Sequence, residues 1–152
     1  MAGLYFEQFE VGHVFKHEIR RTVTDMDNIL YSSLTYNPAP IHIDHAYSAT
    51  TELGKPLMNS IFTLGLVIGL SVQDTTMGKT IGNLGMPDTR FPKPVFAGDT
   101  IRSETKVIEK RESKSRPTQG IVTLEHTGHN QRDEVVCVCR RVALMLKQSG
   151  ES

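Results

Sequence analysis

Tryptophan is absent from these 152 residues, cysteine occurs only twice, and seventeen basic side chains cancel seventeen acidic ones. The charge balance removes the electrostatic footprint of a protein that neutralises phosphates, so nucleic acid is not an expected partner. The two cysteines, Cys137 and Cys139, sit in a Val-Cys-Val-Cys run that reads as a strand, which points both thiols to one face. Such neighbours make a poor disulfide pair, and two thiols alone do not complete a zinc site. They are expected to be small core residues of a reduced, cytoplasmic protein. The longest apolar run, Ile61 to Val72, is too short to cross a bilayer, and the first residues lack the basic, apolar and small-residue succession of a secretory leader. No membrane partner is expected.

What the chain does have is 38% hydrophobic residues, enough to fill a core without disulfides or a structural metal, so one domain over 1–152 is the expectation. Phe15 to Thr24 reads as an edge strand. Thr24, with Asp27 three residues on, reads as a capping box opening a short helix with an apolar stripe of Met26, Ile29, Leu30 and Leu34. Pro38 and Pro40 each lack an amide donor and disfavour helical geometry in the preceding residue, which makes 36–42 a stiff turn. Ile43 to Leu53 then resumes as helix, with Asp44 in its first turn and Gly54 as its stop. From Leu57 to Val72 the chain is apolar nearly all round, the pattern of a helix that needs a wrapping. Four strand-like stretches at about 80–91, 100–111, 119–130 and 135–147 supply it. The predicted architecture is α+β: a curled antiparallel sheet wrapped around a long buried central helix.

Chemistry concentrates where the stiff turn precedes the buried helix. The segment Asn37-Pro38-Ala39-Pro40-Ile41-His42 is similar to the Asp-x-Asn-Pro-x-His motif of the MaoC-like dehydratases, which are single hotdog domains. The resemblance runs from about Phe9 to Met145 and includes Pro94-Val95-Phe96-Ala97-Gly98-Asp99-Thr100. Leu34-Thr35-Tyr36-Asn37, Thr51-Glu52-Leu53-Gly54-Lys55-Pro56-Leu57-Met58-Asn59 and Arg111-Glu112-Ser113-Lys114-Ser115-Arg116-Pro117 resemble the mesaconyl-CoA hydratase (β-methylmalyl-CoA dehydratase) branch. One departure stands out: Asn37 occupies the position of the wider family's catalytic aspartate, and Ala39 that of its asparagine. Asparagine holds a water by hydrogen bonds but does not take its proton. In the branch resembled, asparagine stands there too.

The resemblance implies a homodimer that adds water reversibly to a short, branched or dicarboxylic enoyl-CoA, by syn addition. It implies no metal and no cofactor beyond the coenzyme A carried by the substrate. Such a reaction needs a proton shuttle and polarisation of the thioester carbonyl. An imidazole, with a reference pKa of about 6.5, serves as both base and acid near neutrality, so His42 is assigned that role and Asn37 the orientation of water. The competing account of His42 is a histidine merely packed against its loop. Asn59 and Ser60 open the buried helix, where the Ser60 amide can meet a thioester oxyanion; capping is the alternative for both side chains. Asp44 is read as a helix cap or a loop tether. Arg111, Lys114 and Arg116 read first as ordinary exposed charges and are the nearest candidates for the coenzyme A phosphates, and Arg90 is a candidate partner for a carboxylated acyl group. Two other functions compete: an acyl-CoA thioesterase, and an acyl-CoA binding domain that has lost catalysis.

Overall fold

Three long strands carry the architecture: β3 (Thr100–Glu112), β4 (Gln119–His129) and β5 (Val135–Leu146) form an antiparallel meander. In the computed structural model, which describes residues 3–148, β1 (Val14–Thr22) pairs with β3 and β2 (Thr80–Gly85) with β5. The resulting five-stranded sheet has the order β1-β3-β4-β5-β2. Along β3, Ile101, Ser103, Thr105 and Val107 are buried while the residues between them are half-buried or exposed, the period of two expected of a strand with one face on a core.

Helices occupy the connections. A capping interaction opens α1 (Asp25–Leu34), where the Asp27 carboxylate accepts the Thr24 amide at 2.8 Å. Two short helices follow, α2 (Pro40–Ile43) and α3 (His45–Ser48), then α4 (Ser60–Gly69) and α5 (Val72–Thr75). The helix expected over Ile43 to Leu53 is broken at Asp44, whose extended backbone separates α2 from α3. Its carboxylate caps α3 by accepting the Tyr47 amide at 2.9 Å. Among the described residues no helix is long and apolar enough to cross a membrane.

The expected curled sheet around a long buried helix is not what forms. The fold is α+β and hotdog-like, but the sheet is open, with β1 and β2 at its edges, and among the described residues there is no single long central helix. The apolar run from Leu57 to Val72 divides into an extended lead-in, a ten-residue helix and a turn into α5. The lead-in is extended because its backbone is already paired: Leu57 bridges Phe96, and the Met58 amide donates to the Val95 carbonyl at 2.9 Å. Helix α4 buries one line, Thr63 and Val67, while Ile61, Gly65 and Gly69 lie exposed on another. Hydrophobicity all round a helix predicts burial, and here an open sheet covers only one side.

The core divides into two apolar clusters. Met58, Val67, Leu70, Val95, Ile101, Val136 and Cys137 gather under α4, and Phe6, Phe9, Val107, Val122, Leu124, Ala143 and Met145 gather at the other end of the strands. A polar chain runs inward from the surface: exposed Asp74 on α5 bonds His17 Nδ1 at 2.7 Å, buried His17 Nε2 bonds Thr105 Oγ1 at 2.8 Å, and Thr105 Oγ1 bonds His126 Nδ1 at 2.9 Å. Burial, aided by the charge of Arg141, pushes the His126 pKa down to about 3. Cys137 and Cys139 are both buried and unpaired, and burial, with the neighbouring Cys139, pushes the Cys137 thiol up to about 12. Such a thiol is unreactive at neutral pH.

Candidate active site

Asn37 is placed by the way α1 ends. Thr35 closes the helix, Tyr36 turns left-handed at φ 54°, and the Asn37 amide donates back to the Ser32 carbonyl at 2.9 Å, a Schellman-type stop. The Asn37 Oδ1 then accepts the Ala39 amide at 3.1 Å. Its oxygen is thereby engaged and its amide nitrogen remains a donor. Asn37 lines an apolar groove of about 600 Å³ with Ile29, Ser32, Tyr36, Pro38 and Ile43.

His42 lies on the single turn of α2, opened by Pro40 at the helical position where a missing amide costs nothing. Its Nδ1 is 2.7 Å from the Leu57 carbonyl oxygen. A carbonyl only accepts, so Nδ1 carries a proton in either charge state and the lone pair of neutral His42 lies on Nε2. The loop is held in register by the Leu57 amide, which donates to the Ile41 carbonyl at 3.0 Å. His42 itself lines neither of the two nearby cavities: its neighbour Ile43 lines the Asn37 groove, and its acceptor Leu57 lines a second cavity of about 260 Å³ that also includes Met58, Ser60, Thr63, Phe91 and Lys93.

The opening turn of α4 is largely self-satisfied. The Asn59 side chain accepts the Ile61 amide at 3.0 Å and its carbonyl accepts the Thr63 amide at 3.1 Å. Asn59 therefore caps the helix, and its own amide donates to Asn28 Oδ1 at 2.8 Å. The Ser60 amide has no hydrogen-bond partner among the described residues. It is a donor at the positive end of a helix dipole, beside a cavity that Ser60 itself lines.

The other expected residues are spread over the molecule. Arg90 is exposed and its main chain pairs with Val138; its successors Phe91 and Pro92 line the Ser60 cavity, where the lining cation is Lys93. Arg111, Lys114 and Arg116 are exposed at the far end of the sheet, beside the segment whose Glu7 and Phe9 carbonyls accept from Lys110. Ten strand residues separate Arg111 from Ile101, which packs with Met58 under α4; at about 3.3 Å per residue that is roughly 33 Å. One protomer does not bring them to His42. Asp27 is no substitute carboxylate: burial opposes its charge, but bonds from Arg21 at 2.5 Å and the Thr24 amide hold its pKa below the usual range.

Two participants escaped sequence reasoning. The Leu57 carbonyl, a main-chain group, leaves no mark in a residue pattern. Asn28, buried in the middle of α1, donates from Nδ2 to the His42 and Leu57 carbonyls, both at 2.9 Å. The available signal was an asparagine inside a helix, a residue type that favours caps and turns unless tertiary bonds hold it. The Phe96 to Asp99 turn also proves to be a support: the Asp99 carboxylate accepts the Phe96 amide at 2.9 Å, fixing the residue that bridges Leu57. Burial works against the Asp99 charge, yet bonds from Gln131 and Phe96 and the charge of Arg132 keep its pKa low.

Among the described residues no cluster of three or more His, Cys, Asp or Glu is placed to hold a metal ion. Comparison with known proteins agrees with the architecture. The model of the MaoC like domain matches residues 7–130. The β-methylmalyl-CoA dehydratase of Chloroflexus aurantiacus is 32% identical over 146 residues, covering 96% of this chain and 41% of that protein. This chain thus spans about two fifths of that relative's length. The (R)-specific enoyl-CoA hydratase of Aeromonas caviae is 33% identical over 108 residues, 71% of this chain and 78% of that one. The crystal structure of a MaoC-like dehydratase from Rhodospirillum rubrum superposes with a TM-score of 0.83 at 26% identity, covering 96% of this chain and 99% of that one. Fold, motif block and matched span agree, and the chain belongs to the MaoC-like dehydratase family.

Proposed function

We propose that this protein catalyses the reversible hydration of a short enoyl-CoA thioester, with His42 as the sole proton shuttle. The observation that carries the reading is the bond from His42 Nδ1 to the Leu57 carbonyl, which fixes one tautomer and leaves Nε2 to accept a proton. In the hydration direction, Asn37 donates from its amide nitrogen to a water oxygen while Nε2 removes a proton from that water. The hydroxyl adds to the β-carbon, electron density moves onto the thioester oxygen, and the Ser60 amide stabilises it. The imidazolium then returns its proton to the α-carbon. Proton and hydroxyl both come from one water on one face, so addition is syn, and no second carboxylate is needed. As written, the reaction uses no metal or redox partner, and coenzyme A enters as part of the substrate.

Similarity to the β-methylmalyl-CoA dehydratase favours a branched or dicarboxylic acyl group, with Arg90 or Lys93 as its counter-ion near Phe91 and Pro92. We also propose a homodimer. Met26, Leu30 and Leu34 on α1 and Ile81, Leu84 and Met86 at the β2 edge are all exposed, an apolar surface of the kind that a second copy covers. Arg111, Lys114 and Arg116 of the second copy would then serve the coenzyme A phosphates.

Thioester hydrolysis is the second reading, since the same helix amide suits a tetrahedral oxyanion. The residues lining the Asn37 and Ser60 cavities include no carboxylate, which favours hydration. The test follows enoyl absorbance with mesaconyl-CoA and crotonyl-CoA while thiol release is monitored separately. Loss of absorbance without thiol is expected. Thiol release would install the thioesterase, and no change with either substrate, together with saturable binding of them, would install the binding domain.

A further inference from the structure

Asn28 is 2% exposed and spends both of its donors and one acceptor lone pair on three main-chain groups of the site. Nδ2 donates to the His42 carbonyl and to the Leu57 carbonyl, and Oδ1 accepts the Asn59 amide. The orientation of the side-chain amide is chemically forced, because the flipped amide would set an oxygen against two carbonyl oxygens and a nitrogen against an N–H. The three groups belong to different parts of the site: the residue bearing the imidazole, the acceptor that fixes its tautomer, and the residue before the free Ser60 amide. Helix α1 contributes no side chain to the proton transfer itself, yet it holds both ends of it.

We infer that Asn28 is the positioning residue of this site, setting His42 against the mouth of α4; the inference rests on the hydratase reading above. Two features make the role specific. Leu57 O accepts from both Asn28 Nδ2 and His42 Nδ1, so any shift of Asn28 moves the acceptor that fixes the imidazole. The Asn59 amide is consumed by Asn28 Oδ1 and the Ile61 amide by Asn59 Oδ1, which among the described residues leaves the Ser60 and Phe62 amides as the unpartnered donors of the turn, and of these two residues Ser60 lines the cavity. No other residue type reproduces this pattern at that length. Aspartate keeps the acceptor and loses the donors, leucine fills the space and makes no bonds, and glutamine is one methylene too long.

The test separates positioning from mere stability by reading the imidazole directly. Asn28→Ala and Asn28→Asp are compared with wild type by circular dichroism, by kcat and KM on the enoyl thioester that wild type turns over, and by the ¹⁵N chemical shifts of the His42 ring. In the wild type, the neutral ring should show a protonated Nδ1 and an unprotonated Nε2. A misplacement on the order of 1 Å costs about 100-fold, so folded Asn28→Ala should lose about that factor in kcat with little change in KM. Its ring should exchange between tautomers. Asn28→Asp, which retains the Asn59 bond, should disturb the ring while leaving the Asn59 amide signal in place. Should Asn28→Ala fail to fold, Asn28→Asp gives the same ring readout. Wild-type kcat in a folded variant, or an unaltered ring tautomer in both, would overturn the proposal. If wild type hydrates nothing yet the ring responds to Asn28, the hydratase reading fails and the positioning of His42 stands.

Discussion

His42 and His126 occupy the same small fold and have opposite fates. His126 lies wholly buried on β4, bonded through Nδ1 to Thr105, with its pKa driven down to about 3 by burial, and it stays neutral across the physiological range. His42 stands on one turn of helix beside two cavities, with Nδ1 committed to a main-chain carbonyl. Both have one ring nitrogen satisfied by the protein. The difference is burial: the His126 ring is wholly enclosed, whereas His42 is half-buried between residues that line two cavities. The proposed chemistry requires a committed nitrogen and a reachable one together, and it is for this reason that the proposal rests on His42 and not on His126.

The largest effect that tests this contrast is removal of the imidazole at the open site. His42→Ala should lower turnover by about 10²–10⁴-fold, the usual contribution of a general acid–base group, with the fold unchanged by circular dichroism. His126→Leu should leave kcat within about twofold, since a neutral buried ring on β4 takes no part in the transfer. Equal losses from the two substitutions would erase the distinction. Asn37→Ala comes next: it removes one water-orienting hydrogen bond, worth about 1 kcal/mol, so kcat/KM should fall roughly five- to tenfold. The loss should be far smaller than that of His42→Ala, because the proton still has its acceptor.

How far the sequence foretold these two regions follows from what each is made of. Strand β3 was legible by its alternation, β4 and β5 as runs rich in β-branched and apolar residues bounded by turns, and the Thr24–Asp27 cap because both residues belong to one motif. Helix α1 was legible as a helix, but its orientation was not. Its stripe of Met26, Ile29, Leu30 and Leu34 faces outward, with Leu34 72% exposed, and the buried side carries Asn28 and Ser32. Periodicity finds the apolar face and assumes that it meets the core of the same chain; here that core side is needed for polar contact with loop backbone. The long central helix was misread for a related reason. Apolar content does not distinguish Leu57 and Met58, paired as an extended segment with Phe96 and Val95, from the helical residues after Ser60. Asn59, third in that run and already read from the sequence with Ser60 as the opening of the helix, marks where α4 begins.

A smaller effect appears in stability rather than rate. The folded His126 pKa lies below the unfolded value of about 6.5, so below pH 6.5 the unfolded chain binds a proton that the native chain refuses. Stability therefore falls as pH drops from 6.5 towards 3 and is independent of this group above 6.5. Between pH 7 and pH 5 the contribution amounts to about 2 kcal/mol at that depressed pKa. Urea titrations at the two pH values should show wild type losing about that much more than His126→Leu, which has no ring to protonate. The carboxylates Asp27 and Asp99, whose folded pKa values are lowered, add an acid-labile component at lower pH that both proteins share. An identical pH dependence in the two would mean that His126 is protonated without penalty, and the buried region would no longer be the inert member of the pair.

The least effect is expected at Tyr36, where the two demands on the open site meet. The residue is 94% exposed and left-handed at φ 54°, in the position after a helix that glycine fills most readily. A side chain in that conformation costs about 1 kcal/mol, a strain tolerated here because the turn sets Asn37 back onto the Ser32 carbonyl. Tyr36→Gly relieves the strain but frees the unfolded chain, so the net gain should be below about 1 kcal/mol, read as a rise in the urea midpoint with unchanged m. A gain in stability with kcat preserved identifies the left-handed backbone, rather than the tyrosine ring, as what the site needs. A stable variant with lost activity would instead bring the ring into the groove that Asn37 lines, and make Tyr36 part of substrate recognition.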